Sequence, residues 1–277
     1  MAGSVAVSKA LAAGDIQLAN FAAPAAIHAD LRDGADFVVV LGAINRLMQT
    51  LMARPGITSL DELRGGVIGI HQAGEVDDFI LRTVLPMVGL ESDVRVEVVG
   101  RSEQKPWLMP EAPADALILH PPAPYDAEQA GWNPILDMRS LNVPFQLSCV
   151  TGSRAWIDEH RDLVRRYLRG HVEGLFRFKS DRNFAIDVLK RWSTTDDEGV
   201  ISETYDSFET EFTDNPYPTV EGVANILKAM SGTVDGADTA HAGRFVDNSF
   251  ITELDRSGDL DSLREEFGLE EGLEVHG

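Results

Sequence analysis

The stretch spanning residues 58–79 restricts the fold more than any other part of the chain. Ser59 followed three residues later by Glu62 forms a capping box, so a short helix starts there. Gly65 and Gly66 end it, and Val67, Ile68, Gly69 and Ile70 read as a brief buried strand. The polar turn of residues 71–74 then feeds a helix that presents Phe79, Ile80, Leu81, Val84, Leu85 and Val88 at helical spacing. Strand, glycine turn and helix N-terminus, in that order, are where α/β proteins commonly place a ligand.

The flanking chain keeps the same rhythm. Residues 5–13 form a short amphipathic helix ended by Gly14, and residues 16–19 a strand. Asn20 and Phe21 turn into a helix over residues 24–31, which carries a proline in its first turn. Residues 37–41 (Phe-Val-Val-Val-Leu) are a continuous apolar strand of the kind buried in parallel sheets. Further strands fall at 94–99, 115–119, 135–136 and 145–150, with a stiff His120-Pro121-Pro122 turn and a helix at 125–130. Pro106, Pro110 and Pro113 break any long element between residues 101 and 113. From Ser153 onward the pattern is helical, over 155–178, 184–192, 198–212, 220–230 and 250–256. The result is an α/β front half and a helical back half.

Charge narrows the partners. With 24 Lys+Arg against 45 Asp+Glu, a net charge of -21 argues against nucleic acid or an anionic membrane surface. Cys149 is the one cysteine, so no internal disulfide forms. The first ten residues lack the basic start and apolar core of a signal peptide, and no apolar run is long enough to span a bilayer.

Several segments together resemble the substrate-binding proteins of ABC importers, in the branch that binds alkylsulfonates, nitrate, taurine and thiamine-pyrimidine precursors. The matching pieces are Ala13-Gly14-Asp15-Ile16-Gln17-Leu18-Ala19, then Ser59-Leu60-Asp61-Glu62-Leu63-Arg64-Gly65 before a strand. Ala114-Asp115-Ala116 ahead of a proline turn, the helix entry at Trp156, and Val246-Asp247-Asn248-Ser249-Phe250 follow in the family's order. The resemblance implies a type II periplasmic-binding-protein fold: two α/β lobes with a ligand cleft between them and a helical C-terminal part. Residues 1–48 would open lobe one, 49–154 form lobe two, 155–258 complete lobe one, and 259–277 make a solvated, partly mobile acidic tail. The chain would cross between lobes near residues 43–57 and again near 151–155. Two family features have no counterpart before Val5, namely the opening strand, loop and helix, and the export signal. Either the start is truncated or the chain is a shortened intracellular derivative. A sheet lacking its first central strand leaves backbone groups to be covered by another chain, which makes self-association an expectation.

The resemblance implies a small-molecule ligand and an ABC permease as partner, with no cofactor and no metal. The candidate ligand-binding residues are Asn20, Phe21, Asn45, His71, Gln72, Gly74, Glu75, His120, Pro121 and Tyr125. In anion-binding relatives the turn at 71–74 carries Ser or Thr. Here Glu75, Asp77 and Asp78 already complement the positive helix end. That points to a neutral or cationic ligand rather than a simple oxyanion, and Tyr125 or Trp107 could stack on an aromatic one. The same fold also serves desulfinases with a Cys nucleophile and decarboxylases or pyrimidine synthases with His. Cys149 lies in an apolar strand with no flanking cation and reads as structural. His160 and His171 fall on an arginine-rich helix and read as a solvated face. The seven histidines contain no His-x-x-x-His pairing, and no nucleophile-elbow, P-loop or dinucleotide fingerprint occurs.

Overall fold

A computed structural model describes residues 3–100, 114–193 and 195–269. Trp107, the proline-broken stretch 101–113 and the acidic end 270–277 lie outside the described residues. The Phe-Val-Val-Val-Leu run becomes the first half of β2 (Phe37–Arg46). It lies at one edge of an antiparallel three-stranded sheet in the order β1-β8-β2, with β1 (Leu18–Phe21) opposite it and β8 (Pro144–Ser153) between. A run apolar at every position, like Phe37 to Leu41, requires cover on both faces. Val38 and Val40 pack with α6 (Arg161–Ser180), α10 (Ser249–Arg256) and α11 (Asp259–Phe267). Val39 and Ile44 pack on the other side with α2 (Ala23–Asp33) and α9 (Val220–Met230).

The second sheet holds five strands in the order β5-β4-β6-β3-β7. β4 (Val67–Ile70) runs parallel to β5 (Arg95–Val98) and to β6 (Ala116–Leu119). β3 (Thr50–Ala53) is antiparallel to β6 and to β7 (Asn133–Asp137). α3 (Val76–Met87) follows β4, and α4 (Ala123–Gln129) follows β6 after a cis Pro121-Pro122 bond. The lobes share a core. Phe79 of α3 lies in one cluster with Ile27 of α2 and Val223 and Met230 of α9.

The chain leaves the first sheet after Arg46 and reaches the second at Thr50 through Leu47, Met48 and Gln49, all buried. It returns between Asp137 and Pro144. The return comes earlier than the expected 151–155, because Phe21↔Cys149 and Leu18↔Gly152 pairing places all of β8 in the first sheet.

Four local expectations are corrected. Asn20 and Phe21 are strand residues of β1, not a turn, since both pair with β8. The capping box yields one 3-10 turn, Asp61–Leu63; the Glu62 carboxylate accepts from the Thr58 N–H (2.7 Å) and hydroxyl (3.0 Å). The helix expected over 155–178 is broken at His160, dividing α5 (Arg154–Glu159) from α6. The acidic end is not all tail: α11 buries Leu260 and Leu263 against α6 and α10. Among the described residues the remaining α-helices are α1 (Ser4–Ala13), α7 (Arg182–Trp192) and α8 (Glu198–Glu211).

Candidate functional site

Parallel neighbours end side by side. Gly69 of β4 pairs with Leu117 of β6, so the residues that follow these strands, His71 and His120, emerge at the same sheet edge. The N-terminus of α3 adds Glu75, Asp77 and Asp78 to that edge. Carboxyl ends of adjacent parallel strands form the crevice where open α/β sheets take ligands.

The side chains there are tied in pairs. The His71 Nδ1–H donates to Glu75 Oε2 at 2.8 Å. His120 Nε2 lies 3.0 Å from Asp77 Oδ1, and its Nδ1 lies 3.2 Å from the Gln49 side-chain nitrogen. An amide nitrogen only donates, so Nδ1 of His120 accepts and the Nε2–H donates to Asp77. Gln49 is fully buried in the first crossing, and its carbonyl accepts from Met138 N–H in the second at 2.9 Å. It therefore ties both crossings to the imidazole. Asp78 has a different task. It is buried, accepts from the Gly74 N–H (2.7 Å) and pairs with Arg82 Nε (2.8 Å), which fixes the turn.

Below this rim the walls are Gly69, Ile70, Val99 and residues 117–119, enclosing about 10 Å³. That is the volume of one water sphere, too small for an organic solute as the residues stand. Packing explains the glycine. A Cβ on Gly69 would sit 2.6 Å from Val99 Cγ2 and 2.7 Å from Leu117 Cδ2.

Of the expected site residues, His71, Glu75 and His120 come together. Gln72 and Gly74 form the turn between them, and Pro121 follows His120 as the first residue of the cis pair. Asn20 belongs to another group, where it accepts from the Ser148 hydroxyl (2.8 Å) and faces His171 Nε2 at 3.4 Å. Phe21 is buried with Leu11, Ala26 and Phe37. Asn45 is spent on structure: it donates to the Tyr217 carbonyl and accepts from Gln146 Nε2, both at 2.9 Å. Tyr125 lies against α8, where a Cβ on Gly199 would be 2.6 Å from its hydroxyl.

Gln49 and Ser148 carry no mark in the sequence, and Asp77 shows there only as a complement to the helix dipole. His171, expected on a solvated face, is instead partly buried. Burial lowers its pKa, and its ring lies 5.9 Å from that of Tyr167. Burial pushes the Cys149 thiol up to about 12. Among the described residues, no group of three His, Cys, Asp or Glu could hold a metal ion, and no helix is long and apolar enough to cross a membrane.

Comparison with known proteins places this geometry in a fold. The chain has the periplasmic-binding-protein fold, two α/β lobes about a cleft, like a Candida albicans gene product said to exhibit that generic fold. That structure matches with a TM-score of 0.66 and 13% identity over 89% of this chain and 84% of its own. The periplasmic aliphatic sulphonate-binding protein SsuA of Escherichia coli matches at 0.67 and 18%, over 89% of this chain and 77% of SsuA. By sequence, the chain is 24% identical over 149 residues to a Brachyspira hyodysenteriae protein described as an ABC-transporter periplasmic binding protein. The match covers 54% of this chain and 42% of that relative, so the chain spans less than half of the relative's length. No protein-family model matches the chain.

Proposed function

We propose that the chain captures a small solute between its lobes and delivers it to an ABC-type permease, and that the solute is neutral, cationic or aromatic rather than a simple oxyanion. The observation that carries this reading is the composition of the β4–β6 edge. Two imidazoles and two carboxylates, His71–Glu75 and His120–Asp77, line it. An α-helix N-terminus attracts anions, but Glu75, Asp77 and Asp78 bring negative charge to the start of α3. A sulfonate or nitrate there would meet like charge, whereas a ring N–H or an ammonium would meet acceptors. The sulfonate ligand named for the Escherichia coli protein is therefore not carried over to this chain. Cys149, buried with its thiol held protonated, does not support a cysteine-nucleophile enzyme.

The location is tested with Asp77→Asn and His120→Ala. Calorimetric titration with 2-aminopyrimidine and benzylamine should lose heat in both variants while His241→Ala, outside this edge, binds as the parent does. Full binding in both edge variants would remove the site from this edge.

A further inference from the structure

Where β2 ends, a second and far larger cavity opens, of about 930 Å³. It shares no lining residue with the space beside His71 and Asp77. Arg46 at the end of β2 and Asn142 in the second crossing contribute to its wall, with Lys179, Thr213, Asn248 and Arg264 from the helical part. A volume of this order suits a solute of one or two rings.

Its charges are already matched. Arg46 Nε lies 2.9 Å from Glu211 Oε2, Lys179 Nζ is 2.5 Å from Asp214 Oδ1, and Arg264 Nη1 donates to Asp261 Oδ1 at 3.0 Å. Lining carboxylates number four (Glu211, Asp214, Glu221, Asp255) against three cations, so a free anion gains nothing there. Beyond Asn45, which is spent on structure, the lining offers the amides of Asn142, Asn215 and Asn248 and the hydroxyls of Thr210, Thr213 and Thr219, beside the rings of Tyr217 and Phe212. Three buried polar atoms of lining residues have no hydrogen bond among the described residues: Asp214 Oδ1, which the Lys179 ammonium meets as an ion pair, Asn248 Oδ1 and Arg264 Nε. Those atoms are buried away from the cavity space, but a hydroxyl group both donates and accepts and so can answer the donors and acceptors that the lining amides and hydroxyls present. We propose that this cavity is a second ligand site, taking a neutral polyhydroxylated molecule of monosaccharide to disaccharide size.

The test uses the full chain with trehalose, sucrose and myo-inositol as probes, read by saturation-transfer NMR and calorimetric titration, with taurine and choline as charged comparators. Thr210→Trp and Glu221→Trp place a ring at exposed rim positions of the cavity, away from the core. At least one polyol should bind, and each Trp variant should weaken it about tenfold or more without lowering the melting temperature. His120→Ala should leave it unchanged, so failure of this site and failure of the lobe cleft are read separately. Three outcomes overturn the proposal: no saturation transfer from any of the three polyols, binding that survives both Trp variants, or taurine or choline binding at this cavity in their place.

Discussion

Leu263→Ala measures how firmly the last helix is built into the fold. Leu263 is 1% exposed and Leu260 is 0% exposed. Both pack with Val164, Leu168 and Val172 of α6 and with Phe250 and Leu254 of α10. Emptying a fully buried leucine site costs about 2–5 kcal/mol. α11 has nine residues and can detach as a unit, which caps the loss at its docking energy. Burial of two leucines supplies roughly 3–6 kcal/mol before ordering costs are subtracted. The lower end, about 2–3 kcal/mol, is therefore expected. For a chain of 277 residues that lowers the melting temperature by roughly 3–5 °C. Differential scanning calorimetry reads it, with the exposed Glu266→Ala as a control expected within about 0.5 kcal/mol of the parent. Parent-like melting of L263A would refute the docking of α11.

Three further outcomes follow from single observations. Burial holds His171 below its ordinary value of 6.5, and His28 shifts the same way for the same reason. The unfolded chain then binds those protons first, so the stability contributed is present above 6.5 and lost as pH falls through the folded pKa. Urea titrations on either side of that value should show the loss, and His171→Gln should reduce it; an equal loss in the variant contradicts the assignment. The Cys149 thiol, fully buried and pushed up to about 12, should resist a disulfide reagent in the native protein and react at once in urea. Rapid native labelling would show the strand to be open. Gly69→Ala should cost about 1–3 kcal/mol by overpacking against Val99 and Leu117, and unchanged thermal stability would mean that those side chains yield freely.

Local pattern carried much of the fold. Residues 67–70 and 220–230 follow directly from short apolar runs and helical spacing, because such elements are decided by neighbours a turn away. Pairing across the chain was not legible. Asn20 meets Ser148 and His171 at separations of 128 and 151 residues, and nothing local in an arginine-rich helix marks His171 as the residue facing a strand. Gln49 is similar: an uncharged polar residue in a crossing gains meaning only when the fold brings His120 beside it. The acidic end misled because its charge count outweighs its leucines. Leu260, Leu263 and Phe267 recur at helical spacing, enough to seat one face while Asp261, Glu265 and Glu266 stay exposed. At the candidate site, the turn at 71–74 was readable as the link from β4 into α3, but Asp77 was readable only as a complement to the helix dipole. Its bond to His120 needs the parallel pairing of β4 with β6.

The central claim is that the carboxylates at the start of α3 set the ligand's charge. The most direct measurement is calorimetric titration of the parent chain with 2-aminopyrimidine, benzylamine and ethanesulfonate under one buffer condition. The account predicts heat from a neutral or cationic ring and none from ethanesulfonate. Tighter binding of ethanesulfonate than of either ring compound would contradict it.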